Sequence, residues 1–174
     1  MKRCLLLLVV SLAPLLPAWA GHALSSQEQQ VLKHWLEQHP KYRVATDEDC
    51  DCVGDIEQTK KGYGGLWKPV PDYHPYIATG DFNGDGVRDF AVALIDRTIQ
   101  ENNFALIVFN GPFKSGTASP AFVKSGLDLK YQGLAYGPPR PKPYRLLLGR
   151  FESDSGVLLM PHGRTYRMEY GEED

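Results

Sequence analysis

The sequence predicts an α+β fold in which one N-terminal helix packs on a mainly antiparallel β-sheet. Residues 25–40 carry apolar side chains at helical spacing, whereas the chain after Pro40 is rich in strand-forming and turn-forming residues. Two apolar runs, 90–95 and 104–109, lack polar alternation, which is typical of strands buried on both faces. The eight residues between the runs favour antiparallel neighbours.

The first 20 residues predict a secretory signal peptide. Lys2 and Arg3 precede an apolar stretch, and Ala18 and Ala20 supply small residues at the two positions that signal peptidase reads. That stretch is shorter than the roughly 20 residues that a membrane-spanning helix needs. We therefore expect residues 21–174 to form a single α+β domain, periplasmic or secreted, without a membrane span.

The charge balance of the mature chain bears on its partners. Loss of Lys2 and Arg3 leaves 17 basic against 21 acidic residues, a net charge of −4. This mildly acidic balance gives no electrostatic footprint for nucleic acid. We expect another envelope protein or a cell-wall glycan as the partner instead.

The predicted helix over residues 25–40 has a clear start signal. Ser25 or Ser26 can cap it, with Glu28 or Gln29 three residues later as the capping-box partner. Its apolar face is formed by Val31, Leu32, Trp35 and Leu36. Weaker strand candidates follow the helix at 42–45, 121–124, 145–151, 157–160 and 164–170.

Two irregular segments are candidate contact surfaces. Residues 62–76 are rich in Gly, Pro and aromatic residues, and residues 137–143 form a Pro-rich loop. The aromatic side chains of the first segment that could form a platform are Tyr63, Trp67, Tyr73 and Tyr76. The favoured alternative is that these aromatics pack a long loop onto the sheet.

Residues 80–90, GDFNGDGVRDF, carry oxygen donors at alternate positions. The donors fall at positions one, three, five, seven and nine: Asp81, Asn83, Asp85, the main-chain carbonyl of Val87, and Asp89. Gly86 stands at position six, where such a loop turns sharply. Hard oxygen ligands in an exported protein favour structural Ca²⁺ over Mg²⁺ or Mn²⁺. The alternative is a polar turn whose carboxylates are solvated.

The loop differs from an EF-hand, because Val92 stands where the closing Glu is needed and a predicted strand follows directly. In this arrangement residues 79–95 resemble the D-x-[DN]-x-D-G-x-x-D loops of FG-GAP and VCBS-type repeats, found in calcium-binding β-propellers of the integrin α-chain type. The resemblance implies Ca²⁺ held at the entrance of a central strand. The chain has a single good copy and is too short for a propeller, so neither that fold nor adhesion is carried over.

A second, weaker match to this ligand spacing, at positions one, three, five and nine of residues 47–55, surrounds the two cysteines of the mature chain. Its carboxylates are Asp47, Asp49, Asp51 and Asp55. Cys52 replaces the glycine at position six, and its Cβ disfavours a positive φ there. An acidic, solvated loop around a local disulfide between Cys50 and Cys52 is therefore favoured over a second metal site. Free thiols and a redox centre are the further alternatives.

Function is the least determined part of the prediction. The sequence contains no G-x-S-x-G, H-E-x-x-H, Walker A or G-x-G-x-x-G signature. We expect no catalytic residues and an exported, calcium-stabilised, non-enzymatic binding protein of the cell envelope. One alternative is an inhibitor or immunity protein against an exported cell-wall hydrolase. The other is an envelope polymer hydrolase that uses carboxylates, with His74 or His162 assisting.

Overall fold

A computed structural model describes residues 24–62, 68–137, 142–153 and 155–170. The predicted signal peptide, Tyr63 and Trp67 of the proposed aromatic platform, and residues 138–141 of the Pro-rich candidate surface lie outside these residues. Within the described ranges, no helix is long and apolar enough to cross a membrane.

The described chain contains two α-helices and nine β-strands. The helices are α1 (Ser26–Gln38) and α2 (Val53–Lys61), with a 3₁₀ turn at Asp47–Asp49 between them. The strands are β1 (Tyr42–Val44), β2 (Ile77–Gly80), β3 (Asp89–Asp96), β4 (Phe104–Phe109), β5 (Phe122–Leu127), β6 (Gln132–Ala135), β7 (Leu146–Arg150), β8 (Gly156–His162) and β9 (Thr165–Tyr170). The broad α+β class is confirmed.

The strands form two antiparallel sheets where the sequence predicted one. The first has the order β1-β3-β4-β5, and β2 also pairs with β3. Strand β4 pairs along one edge of β3, so β1 and β2 share the other edge of β3. There β2 lies opposite residues 89–92 and β1 opposite residues 94–96. The second sheet is a meander in the order β6-β7-β8-β9.

Strands β3 and β4 lie in the middle of three layers and are buried along their whole length, as the continuous apolar runs predicted. One face packs against Val31, Leu32 and Trp35 of α1. It presents Phe90, Val92, Leu94, Ala105, Ile107 and Phe109. The opposite face belongs to the same core as Leu134, Leu146 and Leu159 of the second sheet. Because successive side chains of a strand point to opposite faces, each of the two strands contributes residues to both cores.

Helix α1 begins at the predicted cap. The Ser25 hydroxyl accepts a hydrogen bond from the Glu28 amide at 3.3 Å, and the Glu28 carboxylate accepts one from the Ser25 amide at 2.6 Å. This reciprocal pair is a capping box, which confirms Ser25 and Glu28 among the residues that the sequence offered.

Helix α2 corrects the expectation of strands and turns throughout the chain after Pro40. Its only buried residue is Ile56, so the helix has no apolar stripe for sequence periodicity to detect. Lys60 and Lys61 occupy its last turn, where cations are favourable, and it ends at Gly62 with φ 87°.

The end of β3 carries a buried carboxylate. Asp96 is 3% exposed and accepts hydrogen bonds from the Lys41 ammonium and the Thr98 hydroxyl, both at 2.6 Å, and from the Thr98 amide at 3.0 Å. These hydrogen bonds lower the pKa of Asp96 to about 2, and the bond from Lys41 has the largest effect.

We expect Asp96 to stabilise the fold above its ordinary pKa of 3.8, and this stabilisation to be lost as the pH falls through about 2. Thermal melting of wild type and of Asp96→Asn should differ most near neutral pH and converge between pH 4 and pH 2. Glu101→Gln, at an exposed carboxylate of the following loop, is the matched control and should melt like wild type. A difference between wild type and Asp96→Asn that stays constant down to pH 2 would contradict the assignment.

Candidate metal loop

The oxygen-rich motif forms the connection of a β-hairpin. Gly80, the last residue of β2, pairs with Asp89, the first residue of β3, so residues 81–88 connect two antiparallel neighbours. Gly84 and Gly86 have φ of 83° and 80°, a region in which a Cβ is strained. The sharp turn predicted at Gly86 is therefore present.

The loop backbone is folded around the carboxylate of Asp81. One oxygen, Oδ1, accepts hydrogen bonds from the amides of Gly84 at 2.7 Å and Asp85 at 3.0 Å. The other, Oδ2, accepts the amide of Gly86 at 2.9 Å. Three successive amides thus point at one side chain, which fixes the curl of the loop at its first ligand position.

The side chains at positions three and five are also bonded within the loop. Asn83 Oδ1 accepts the Asp85 amide at 2.9 Å, and Asn83 Nδ2 donates to Asp85 Oδ2 at 3.0 Å. Asp85 Oδ1 accepts the Val87 amide at 2.8 Å. Each of these oxygens has a second lone pair beyond the bond it makes.

Asp89 is fully buried and holds three parts of the chain together. Its Oδ2 accepts the Phe82 amide at 2.9 Å, and its Oδ1 accepts the Gly111 amide at 3.0 Å, just beyond β4. Burial raises the pKa of Asp89 to about 6, against the lowering effect of these amides. Asp89 therefore ties the loop to its own strand and to the turn after the neighbouring strand.

Two aromatic residues that the sequence did not indicate as part of the site, Phe82 and Tyr136, attach the loop to the core. Phe82 is fully buried and packs edge-on against Tyr136, with ring centroids 5.2 Å apart. The Tyr136 hydroxyl donates to the carbonyl of Asp81 at 2.7 Å, and its ring lies where a Cβ on Gly80 would collide. Tyr136 follows β6, so these contacts join the loop to the second sheet.

Arg88 connects the loop to helix α1. Its Nε donates to Oε1 of Glu28 at 2.9 Å, and the Glu28 side chain is nearly fully buried. The same carboxylate also caps α1 through the Ser25 amide. One buried carboxylate therefore joins the start of the helix to the end of the loop.

The donor set fits calcium in its chemistry, since all five predicted ligand positions offer hard oxygens. Across the described ranges, however, no group of three or more His, Cys, Asp or Glu side chains converges closely enough to hold a metal ion. In this structure the carboxylates of Asp81 and Asp85 accept loop amides, and that of Asp89 accepts the amides of Phe82 and Gly111. Metal binding would have to draw Asp81, Asp85 and Asp89 closer together than they lie here.

The weaker match to the ligand spacing, at residues 47–55, differs in local structure from the loop at residues 81–89. Asp49 makes a two-pronged contact with the Arg43 guanidinium at 2.7 and 2.5 Å, which lowers the pKa of the Asp49 carboxyl. Asp47 contacts His74 Nδ1 at 3.0 Å and Lys60 Nζ at 3.3 Å. Asp51 lies between the 3₁₀ turn and α2, and Asp55 lies in the first turn of α2. Two of the four carboxylates thus face cationic or imidazole partners.

The cysteine pair is buried rather than exposed on an acidic loop. The sulfurs of Cys50 and Cys52 lie within bonding distance, with their Cα atoms 5.0 Å apart. Both side chains are at most 3% exposed and belong to the same core as Ile56 of α2. The cysteine pair therefore helps to pack α2 against the sheets.

The proposed aromatic platform is not available as a surface where the structure describes it. Tyr76 is 1% exposed, donates its hydroxyl to the Leu129 carbonyl at 3.0 Å and lies beside Phe104. Tyr73 is also buried and meets Phe151 edge-on. Both tyrosines pack the segment onto the core, which is the alternative that the sequence favoured.

The chain matches no protein-family model, and no curated protein or solved structure is significantly similar to it. Its function is therefore inferred from the chemistry and placement of residues 81–89 and from the surfaces around them.

Proposed function

We propose that residues 81–89 bind a structural Ca²⁺ ion and that the chain is an exported, non-enzymatic binding protein of the cell envelope. The observation that carries the calcium proposal is the placement of five alternating oxygen donors. Four lie on the hairpin connection, and the fifth is the first residue of the doubly buried strand β3. Left-handed glycines at positions four and six let the loop turn without strain.

Calcium would supply positive charge where three carboxylates of one loop repel one another. Asp81, Asn83 and Asp85 would offer side-chain oxygens, Val87 its carbonyl, and Asp89 the closing carboxylate. Because Phe82 and Asp89 attach the loop to the core, tightening the loop stabilises the pairing of β2 with β3. At about 1 mM calcium and a Kd near 0.1 mM, mass action would add about 1.4 kcal/mol to the free energy of unfolding.

The loop leads directly into the buried strand β3, which supports a structural ion over a catalytic one. Metal catalysis needs an open coordination position beside a general base in a cleft. Two concave surfaces in the described ranges lie at α1. They are lined by residues of that helix, of 39–42 and of 118–120, and by Arg97 and Val123. None of residues 81–89 lines either surface.

We expect calcium to raise the melting temperature of the chelator-treated protein by about 4 °C, as a gain of about 1.4 kcal/mol implies for a chain of this size. Asp85→Ala should abolish this response, because it removes a ligand at the centre of the loop. Asp72→Ala, at an exposed turn outside the loop, is the matched control and should respond like wild type. Equal melting temperatures of wild type in calcium and in EDTA would refute the calcium proposal.

One observation favours the hydrolase alternative. His74 lies 3.0 Å from the carboxylate of Asp47, and a carboxylate in this position can orient an imidazole as a general base. Turnover of peptidoglycan or of a chromogenic ester by the purified protein, lost in His74→Ala, would establish the hydrolase. Absence of turnover with either substrate, together with a reproducible partner from envelope extracts, is the result that the binding role predicts.

A further inference from the structure

Strand β5 is an exposed edge of the five-stranded sheet. It pairs with β4 on one side, and the described strands leave its other side open. Four of its six residues, 123–126, are exposed, whereas β3 and β4 are buried throughout. An open edge presents backbone N–H and C=O groups to which an incoming strand can bond.

A groove runs beside β5 on the face of the sheet that carries α1. Val123 lies opposite Ile107, yet Val123 is 44% exposed and Ile107 is fully buried, because α1 covers β4 and does not reach β5. The groove has a volume of about 460 Å³. Its apolar and aromatic lining is formed by Trp35, Tyr42, Ala118, Pro120 and Val123.

The charges around this edge favour an acidic occupant. Among the residues that the structure describes, the groove is lined by Lys41 and by no Asp or Glu. Lys41 already bonds to Asp96, so the exposed Lys124 on β5 is the cation with the greatest effect on an incoming strand. An edge of this kind repels basic segments and attracts acidic ones.

The same lysine argues against a second copy of this chain as the occupant. In a two-fold antiparallel pairing centred on Lys124, the Lys124 side chains of the two copies would face each other, and like charges directly opposite are destabilising. Gly126, with φ 76°, sits at a register shift between β4 and β5, which limits the regular edge to residues 122–125.

We propose that β5 and the adjoining groove accept an extended, acidic segment of a partner protein as an additional strand. Alternate side chains of that segment would lie over Val123 in the groove and over Lys124 on the opposite face. The inference rests on the proposed binding function and names its partner class: an unstructured acidic peptide that pairs through its backbone.

The test uses short fluorescent peptides of alternating Glu and Val or of alternating Lys and Val, with fluorescence anisotropy as the readout. We expect the Glu-Val peptide to bind the full-length protein and the Lys-Val peptide to bind at least about tenfold more weakly. Lys124→Glu should reverse this preference. Lys61→Glu, which makes the same charge change on an exposed residue of α2, should leave the preference unchanged.

N-methylation of the peptide separates strand pairing from general charge attraction. One Glu-Val peptide is methylated on the Glu amides and another on the Val amides, and strand addition uses one set of amides only. We expect one of them to bind about tenfold more weakly than the other, since it loses backbone hydrogen bonds to β5. Equal binding of the two, no binding of the Glu-Val peptide, or an unchanged preference in Lys124→Glu would each overturn the proposal.

Capture from envelope extracts distinguishes failure of this surface from failure of the binding function itself. A partner recovered by wild type and lost in Lys124→Glu supports β5 as its site. The same partner recovered equally by both proteins would keep the binding function and refute this surface. Sedimentation that shows wild-type self-association, abolished in Lys124→Glu, would instead make the edge a self-interface and overturn the proposal.

Discussion

Phe82→Ala is expected to lower the free energy of unfolding by about 3–5 kcal/mol, the largest effect of a single substitution in the loop. Phe82 is fully buried although its neighbours in the loop are polar, and its ring packs edge-on against Tyr136. Truncation removes this packing and leaves a cavity between the loop and the second sheet. The loop then loses the side chain that holds it against the core.

Urea unfolding with and without calcium measures this effect. Tyr170→Ala, at an aromatic residue that is 70% exposed, is the matched control and should change stability by less than about 0.5 kcal/mol. Calcium should also stabilise Phe82→Ala less than wild type, because the Phe82 ring no longer holds the loop against the core. A loss below about 1 kcal/mol in Phe82→Ala would mean that the loop does not depend on this anchor.

Asp89→Ala is expected to cost about 2–3 kcal/mol even without metal. It leaves the buried amide of Phe82 and the half-buried amide of Gly111 without their acceptor, and each unsatisfied buried donor costs about 1–3 kcal/mol. Part of that cost is offset, because burial of the charged carboxylate is itself unfavourable and raises its pKa to about 6. The net effect is smaller than that of Phe82→Ala.

Unfolding in excess chelator isolates the structural role of Asp89 from any metal ligation. Asp85→Ala is the matched comparison, because its carboxylate is exposed and its hydrogen bonds to the described residues lie within the loop. We expect Asp85→Ala to cost less than about 1 kcal/mol in chelator and Asp89→Ala to cost clearly more. Equal small losses in the two variants would contradict the anchoring role of Asp89.

The sequence specifies the central strands well and their surroundings poorly. Continuous apolar runs at 90–95 and 104–109 require cover on both faces, whatever provides it. Which layer covers each face depends on contacts between distant segments, so the second sheet could not be derived from the runs. Strands β2 and β6 and helix α2 were missed because each is short and buries few side chains at a regular period.

The ligand spacing of the loop could be predicted from residues 81–89, because it is a local pattern. The carboxylate bonds to loop amides, the burial of Asp89 and the Tyr136 contact depend on the folded chain, and Tyr136 lies 55 residues from Asp81. One signal was present: Phe82 is a large apolar residue placed between two oxygen donors. A solvated turn gives no reason for such a side chain, whereas an anchored loop does.

Direct calcium titration of chelator-treated protein by isothermal calorimetry tests the central claim most directly. We predict a single calcium site per chain in wild type and in Asp72→Ala, and no measurable calcium binding in Asp85→Ala. Absence of calcium binding by folded wild-type protein, or the same stoichiometry and affinity in Asp85→Ala, would contradict calcium binding by residues 81–89.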